Sequence, residues 1–111
     1  MVENGVRLMR AARKVEMPIF FARGHQTYLD VALRTRKIDT IIISGGSTDV
    51  GIAATVFAGR DLDYNFIVVR DACATNHDQR AHDVLMDLIF PRMARVRTTE
   101  QVLEMIRQAA T

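Results

Sequence analysis

The sequence is poor in cysteine and has no long apolar run. Its single cysteine, Cys73, cannot form an intramolecular disulfide and cannot supply a zinc site built from several thiolates. No apolar run approaches the ~20 residues that a membrane-spanning helix requires, so we expect no membrane partner. The stretch MVENGVRLMRAARK lacks the apolar segment and small-residue cleavage site of a signal peptide. These absences predict a cytoplasmic protein.

Runs of like charge are also missing. The chain has 15 Lys and Arg residues against 13 Asp and Glu residues, and its net charge of +2 is spread along its length. This pattern favours an ordinary solvated surface, and we expect no nucleic-acid partner. With 111 residues, of which 49% are apolar, the chain is long enough for one globular domain and too short for two.

Apolar periodicity predicts helices that alternate with strands. The clearest strand is IDTIIIS at residues 38–44, an apolar, β-branched run with little alternation, which is typical of a strand covered on both faces. The alternating order of helices and strands predicts an α/β protein, a three-layer α/β/α sandwich with a mostly parallel, Rossmann-like sheet of about four strands. Predicted helices cover about residues 2–15, 26–36, 48–60, 76–90 and 99–109, and predicted strands cover 17–22, 38–44, 66–72 and 94–97.

Helix starts and buried faces follow from the same pattern. Thr48 or Asp49 is expected to cap the helix after IDTIIIS, and Thr75 or Asn76 the helix after the third strand. The fourth helix is predicted to bury Ala81, Val84, Leu85, Leu88 and Ile89, and the last helix, after a Thr98–Gln101 capping box, to bury Val102, Leu103, Ile106 and Ala109.

Ligands of a parallel sheet bind beyond the carboxyl ends of its strands. Three predicted loops lie there: ARGHQ at 22–26, GGSTDVG at 45–51 and DACATNHD at 71–78. GGSTDVG is neither a GxGxxG fingerprint nor a P-loop. It can present backbone N–H groups at a helix start as an anion or oxyanion site, or it can be a tight turn that needs glycine. Both interpretations stay open.

Two further chemistries, a cysteine nucleophile and a metal site, are considered for the third loop and the start of the helix after it. Cys73 and His77 could form a nucleophile and base, but a lone cysteine at the end of an apolar strand is more often a small buried hydrophobic residue. His77, Asp78, His82 and Asp83 suggest metal ligands, yet the two histidines are too far apart in register to share a helical face. We predict no metal site and no cofactor.

Residues 38–75, IDTIIISGGSTDVGIAATVFAGRDLDYNFIVVRDACAT, resemble the isochorismatase-like hydrolase family, also called the cysteine hydrolase superfamily. The family pattern is a hydrophobic strand, G-[VGI]-x-T-[ND]-x-C, a helix, an apolar strand and D-A-[CT]. Residues 45–51 and 68–73 match its two motifs, and the resemblance extends over nearly the whole chain. It implies the family fold and hydrolysis of a small polar amide, as in nicotinamidases, or of a vinyl ether, as in isochorismatases.

The resemblance also implies three catalytic positions, and the sequence departs from each. The family Asp on a strand before the first helix and the family Lys have no counterpart, and the nucleophilic Cys position is Gly51. These departures exclude the covalent amidase mechanism and leave vinyl-ether hydrolysis without its acid. What remains is an oxyanion site from the backbone N–H groups of Ser47 and Gly51. Expected ligand contacts are Gly46, Thr48, Asp49, His25 and Asp71, and the last three are also candidate general acids.

Two functions are therefore expected. The first is a catalytically impaired hydrolase of the family, and the second is a non-enzymatic pseudo-hydrolase that oligomerises or binds a small molecule. A flavodoxin-like nucleotide-binding domain is disfavoured by the lack of a phosphate loop. The missing family strand would lie between MPIFFA, residues 17–22, and IDTIIIS. We expect MPIFFA to pair directly with IDTIIIS, or a second copy to fill the gap, and we expect a homo-oligomer.

Overall fold

The structure, a computed structural model, describes residues 1–21 and 33–109. Its centre is a parallel sheet of three described strands in the order β1-β2-β3. The predicted α/β class with a parallel sheet is confirmed. The strands are β1 Thr40–Gly46, β2 Asn65–Ala74 and β3 Arg95–Arg97, and the helices are α1 Val2–Lys14, α2 Ala53–Asp61, α3 Gln79–Val84 and α4 Thr99–Ala109.

Two helices are extended by turns of different pitch. A π-helical turn at Thr48–Ile52 leads directly into α2. A second π-helical turn at Leu85–Ile89 continues α3 and is followed by a 3-10 turn at Phe90–Arg92. Pro91 lies in that last turn, and because proline lacks an N–H donor it favours the end of the helix there.

The central strand β2 is buried on both faces. Phe66 and Val68 face one side of the sheet, and Ile67 and Val69 face the other; each is at most 4% exposed. Two helical layers cover these faces, which explains why the run FIVV has no polar alternation. On the first face β2 packs with Val56, Met86 and Phe90 from α2 and the extension of α3, and on the second with Leu8, Val102 and Ile106 from α1 and α4.

The register between β1 and β2 changes near the carboxyl ends of the strands. Thr40–Ile43 pairs with Asn65–Val68 in step, but Gly45 then pairs with Cys73. Between those pairs β1 advances two residues while β2 advances five, so β2 carries three additional residues. This bulge lets β2 reach the helix α4 before it returns to β1.

The prediction of a strand at MPIFFA is wrong for residues 17–21, which form no strand in the structure, and residue 22 lies outside the described residues. Met17 N–H donates to the Ala12 carbonyl 2.8 Å away as α1 ends, Pro18 has no N–H, and Phe21 is 69% exposed. Among described strands β1 therefore pairs with β2 alone, and its predicted pairing with MPIFFA is wrong. The expected homo-oligomer stays a prediction.

Of the helix predicted at residues 26–36, only the part from Leu33 onward is described. Leu33 is buried with Phe66 and Val68 on the first face of the sheet, and residues 33–35 are helical. The predicted helix at the amino end is confirmed by α1, which buries Leu8 and Ala12. No helix in the described ranges is long and apolar enough to cross a membrane.

The predicted cap of the fourth helix is wrong, and its predicted buried face is wrong at two of five residues. Asp78 caps α3 by accepting a hydrogen bond from the Arg80 N–H, and Val84 and Leu88 are 44% and 61% exposed. Ala81, Leu85 and Ile89 are partly buried. The fully inward positions are instead His82, Met86 and Phe90, because the wide turn at Leu85–Ile89 brings residues four apart onto the sheet.

The last helix starts as predicted. The Thr98 N–H donates to Gln101 Oε1 at 2.8 Å, and the Gln101 N–H donates to Thr98 Oγ1 at 3.2 Å, which is a capping box. Val102 and Ile106 are buried, whereas Ala109 is exposed, so the inward face ends one turn earlier than predicted.

The close packing of α2 on β2 can be tested by a substitution at Gly59, which faces Phe66. A Cβ atom added at Gly59 would lie 2.3 Å from Cζ of the buried Phe66 ring. We expect Gly59→Ala to lower the free energy of unfolding by about 1–3 kcal/mol because the ring has to move. The matched control is Gly5→Ala in α1, where no heavy atom lies within 4 Å and alanine should stabilise by roughly 0.5–1 kcal/mol. Urea unfolding followed by circular dichroism measures both; equal effects would contradict this packing.

Candidate active-site loops

Two of the three predicted loops meet at the carboxyl edge of the sheet. Gly46 is paired with Ala74, so the chain leaves β1 and β2 at the same edge, and Ser47 and Thr75 come next. The Gly46–Ser47 peptide bond is cis. The predicted proximity of GGSTDVG and DACATNHD is confirmed for this pair of strand ends. The third loop, ARGHQ with His25, lies outside the described residues.

Three side chains form a hydrogen-bonded cluster where the loops meet. Ser47 Oγ donates to Asp49 Oδ1 at 2.6 Å, and Thr75 Oγ1 donates to the same oxygen at 2.8 Å. The His77 N–H in turn donates to Thr75 Oγ1 at 3.2 Å. The hydrogen bonds from Ser47 and Thr75, with a smaller contribution from the charge of His77, hold the pKa of Asp49 below its ordinary value of 3.8. Asp49 is therefore a carboxylate acceptor at neutral pH and a poor general acid.

Thr75 is the member of this cluster that the sequence did not indicate as a site residue. It was predicted only as a possible helix cap. Its position directly after a buried parallel strand could have indicated it, since residues there share an edge with those that follow β1.

Thr48 lies beneath the cluster and faces the core. Its Oγ1 is 2.8 Å from Nδ1 of His82, and both side chains are buried. Thr48 was predicted to contact a ligand, but the structure gives its hydroxyl a buried partner instead. The contact joins the turn after β1 to α3, and Ser47, with extended backbone, stands at the cap position that was predicted for Thr48 or Asp49.

Gly51 is exposed in the π-helical turn and has no side chain toward the loop edge. A Cβ atom added there would lie 3.2 Å from the carbonyl oxygen of Gly46, a tight contact. The Gly51 carbonyl accepts a hydrogen bond from Thr55 Oγ1 at 2.8 Å. The position that the sequence resemblance assigns to the nucleophile thus has backbone atoms alone, with the Gly46 carbonyl oxygen closest to where a side chain would start.

Cys73 is 5% exposed and contributes to the first core cluster. Burial raises the pKa of its thiol to about 11; a backbone hydrogen bond at Gly45 opposes the rise and the charge of Asp71 adds to it. The thiol stays protonated at neutral pH, so it lacks the thiolate that a nucleophile requires. The structure supports its role as a buried hydrophobic residue.

Asp71 lies in the additional residues of β2 and caps α4. Its Oδ1 accepts from both the N–H and the Oγ1 of Thr99, each at 2.7 Å. The carboxylate thus satisfies the backbone N–H of the buried Thr99 at the start of α4, where the helix dipole favours a negative charge. The structure therefore places Asp71 in a structural contact, not with Ser47 and Asp49.

Three of the four residues considered as metal ligands have other side-chain partners. His82 contacts Thr48, Asp78 caps α3 and pairs with Arg80, and Asp83 accepts from Gln79. Within residues 1–21 and 33–109, no group of three or more His, Cys, Asp or Glu side chains is arranged to hold a metal ion.

A three-layer α/β domain with two loops at the carboxyl edge of a parallel sheet defines a class of small-molecule enzymes and binding proteins. The Isochorismatase domain family matches residues 24–101. The uncharacterized isochorismatase family protein YwoC of Bacillus subtilis (strain 168) is 40% identical over 81 residues, which is 73% of this chain and 42% of that protein. YecD of Escherichia coli O157:H7, also described as an uncharacterized isochorismatase family protein, is 38% identical over 69% of this chain and 40% of its own length.

Solved structures agree with this match. An isochorismatase family protein from Burkholderia thailandensis is 33% identical with a TM-score of 0.68, covering 71% of this chain and 41% of that one. A protein from Burkholderia xenovorans LB400 shares the fold at a TM-score of 0.83 and 21% identity, covering 98% of this chain and 75% of that one. The chain belongs to the isochorismatase family of hydrolase-like proteins. It spans less than half the length of the curated relatives that it matches.

The buried contact between Thr48 and His82 is tested by Thr48→Val. Valine keeps the shape but leaves the buried imidazole nitrogen without its partner, so we expect a loss of about 1–3 kcal/mol of unfolding free energy. Thr40→Val is the control, because Thr40 is exposed on β1 and should change stability little. Urea unfolding at pH 7.5 measures both variants. Equal stability of Thr48→Val and Thr40→Val would contradict the contact.

The raised pKa of Cys73 predicts a pH dependence of stability. Because the unfolded thiol ionises near 9.0 and the folded thiol only near 11, stability is lost as the pH rises through this window. The loss should reach about 2 kcal/mol at pH 11 relative to Cys73→Ala, whose side chain does not ionise. Urea unfolding of both proteins at pH 8, 9, 10 and 11 measures the difference. Parallel pH profiles would show that the thiol is not desolvated.

Proposed function

We propose that this domain binds a small polar molecule at the joined loops and does not hydrolyse it through a covalent cysteine intermediate. One observation carries the proposal: the position that the family resemblance assigns to the nucleophile is a glycine, Gly51, and the carbonyl oxygen of Gly46 lies closest to where its side chain would start. A covalent intermediate requires a side-chain nucleophile at that place.

The neighbouring groups support the same proposal. The Cys73 thiol is buried, and its pKa of about 11 keeps it protonated. Asp49 has a lowered pKa, so it carries no proton to donate at neutral pH. Asp71 caps α4 by accepting hydrogen bonds from Thr99. None of these three groups supplies the missing catalytic functions.

The cluster at the loops suits a ligand that donates hydrogen bonds. Ser47 and Thr75 both donate to Oδ1 of Asp49, and no described residue donates a hydrogen bond to Oδ2. An ionised oxygen at this edge can accept a charge-assisted hydrogen bond from an amide or amine N–H. Small polar amides, the substrate class that the family resemblance implies, carry such a donor.

A second candidate is favoured by Gly51 itself. The resemblance includes isochorismatases that have glycine at this position, where hydrolysis of a vinyl ether needs protonation and no covalent attack. Of the three acids considered for this activity, Asp49 is a poor proton donor, Asp71 caps α4, and His25 lies outside the described residues. Vinyl-ether hydrolysis is therefore the alternative that an assay has to separate from simple binding.

Nicotinamide is the probe for the proposed binding site, observed through the ¹⁵N–¹H spectrum of the labelled protein. We expect saturable shifts of the Ser47, Asp49 and Thr75 amide signals. Asp49→Asn should weaken binding about fivefold, because a charge-assisted hydrogen bond becomes a neutral one. Asp83→Asn on α3, an exposed carboxylate away from the loops, is the matched control and should leave the affinity unchanged.

Activity is measured on the same samples. We expect no ammonia release from nicotinamide and no covalent adduct in the intact mass. Ammonia release that Cys73→Ala abolishes would contradict the proposal, and so would equal weakening by Asp49→Asn and Asp83→Asn. Pyruvate release from isochorismate would establish the second candidate in its place.

A further inference from the structure

A cleft of about 500 Å³ lies at the opposite edge of the sheet from the joined loops. One wall is the turn between α2 and β2, residues 60–65, and the other is the turn before β3, residues 91–94. Because Asn65 starts β2 and Arg95 starts β3, the cleft lies at the amino ends of the strands. It is therefore separate from Ser47, Asp49 and Thr75, and binding in this cleft is independent of the proposed function.

Two arginines line this cleft, one from each wall. Arg60 lies at the end of α2 and Arg92 in the 3-10 turn, and both are exposed. Within the described part of the chain, neither side chain forms an ion pair or a hydrogen bond. Asp63 is the only carboxylate among the described lining residues, so the cleft has an excess of positive charge.

Both walls are held by backbone hydrogen bonds. The Asp63 and Tyr64 N–H groups donate to the carbonyls of Arg60 and Gly59, each at 3.0 Å, and the Ala94 N–H donates to Phe90 at 2.8 Å. The buried Tyr64 is covered by the guanidinium of Arg34, 4.2 Å from its ring centre. The two arginines thus extend from fixed turns, and less conformational entropy is lost when a ligand joins them.

The position of Arg60 alone has a simpler explanation, since a cation in the last turn of a helix interacts favourably with the helix dipole. Arg92 likewise lies in the last turn of the helix that α3 begins, so the dipole accounts for each arginine separately but not for their position on the two walls of one cleft. Two like charges that line one cleft repel each other, and a bound anion lowers this repulsion. The side chain of Asn65, which has no described partner, adds amide donors at the same place.

We infer that this cleft binds the phosphoryl group of a small molecule, with Arg60 and Arg92 as its principal contacts. Guanidinium groups present paired N–H donors whose geometry matches phosphate oxygens. The volume is that of a small-molecule site. Asp63 opposes the bound anion and lowers the affinity that the two arginines would otherwise give.

The test is a titration of the full chain with inorganic phosphate, ribose 5-phosphate and ribose, followed in the ¹⁵N–¹H spectrum. We expect saturable shifts of the Tyr64, Asn65 and Ala94 amides with both phosphates and none with ribose. A larger affinity for ribose 5-phosphate than for inorganic phosphate identifies a phosphate ester as the natural ligand class, and the reverse identifies free phosphate. Arg60→Gln and Arg92→Gln should each weaken phosphate binding about fivefold.

Two further variants make the test specific. Asp63→Asn should tighten phosphate binding about threefold because a repulsive charge is removed. Asparagine also tolerates the positive φ of 67° at this position, so the turn is kept. Arg10→Gln, an exposed arginine of α1 outside the cleft, should leave the affinity unchanged. Equal weakening by Arg10→Gln and Arg60→Gln, no tightening by Asp63→Asn, or shifts that do not saturate would each overturn the inference.

Discussion

The hydrogen bond between Thr48 and His82 is the contact on which the loop edge depends. It joins the first residue of the turn after β1 to the helix after β2, at 2.8 Å and out of solvent. A buried polar pair of this kind is costly to break, because each group would lose its partner without regaining water. It fixes which face of the turn points inward, and so directs Ser47 and Asp49 outward to the edge where Thr75 lies.

The sheet supports this edge through its central strand. β2 places alternate residues into two separate clusters, so helices on both faces hold it. Its three additional residues before Cys73 bring Asp71 to the start of α4 and return the strand to Gly45. The strand end that carries Thr75 is thereby anchored by core packing, by a helix cap and by pairing with β1.

The resulting site is made of hydroxyl, carboxylate and backbone groups and contains no activated nucleophile among the described residues. Glycine at position 51 leaves the turn geometry in place while it removes the side chain that covalent hydrolysis uses. In the proposed function, binding therefore depends on other parts of the turn than covalent chemistry would. Backbone and neighbouring hydroxyl groups would form the proposed binding edge without a side chain at position 51.

Local sequence determined the elements whose signals are local. The unalternating runs at IDTIIIS and FIVV indicated parallel strands, of which FIVV is fully buried and IDTIIIS partly buried. The spacing of Thr98 and Gln101 indicated the start of α4, and the turn motif indicated the family. Long-range contacts decided the remaining features. The inward direction of Thr48 and His82 and the use of Asp71 as a cap for Thr99 depend on partners distant along the chain. Periodicity records which residues are apolar, but it does not record which polar group a distant hydroxyl or carboxylate will satisfy.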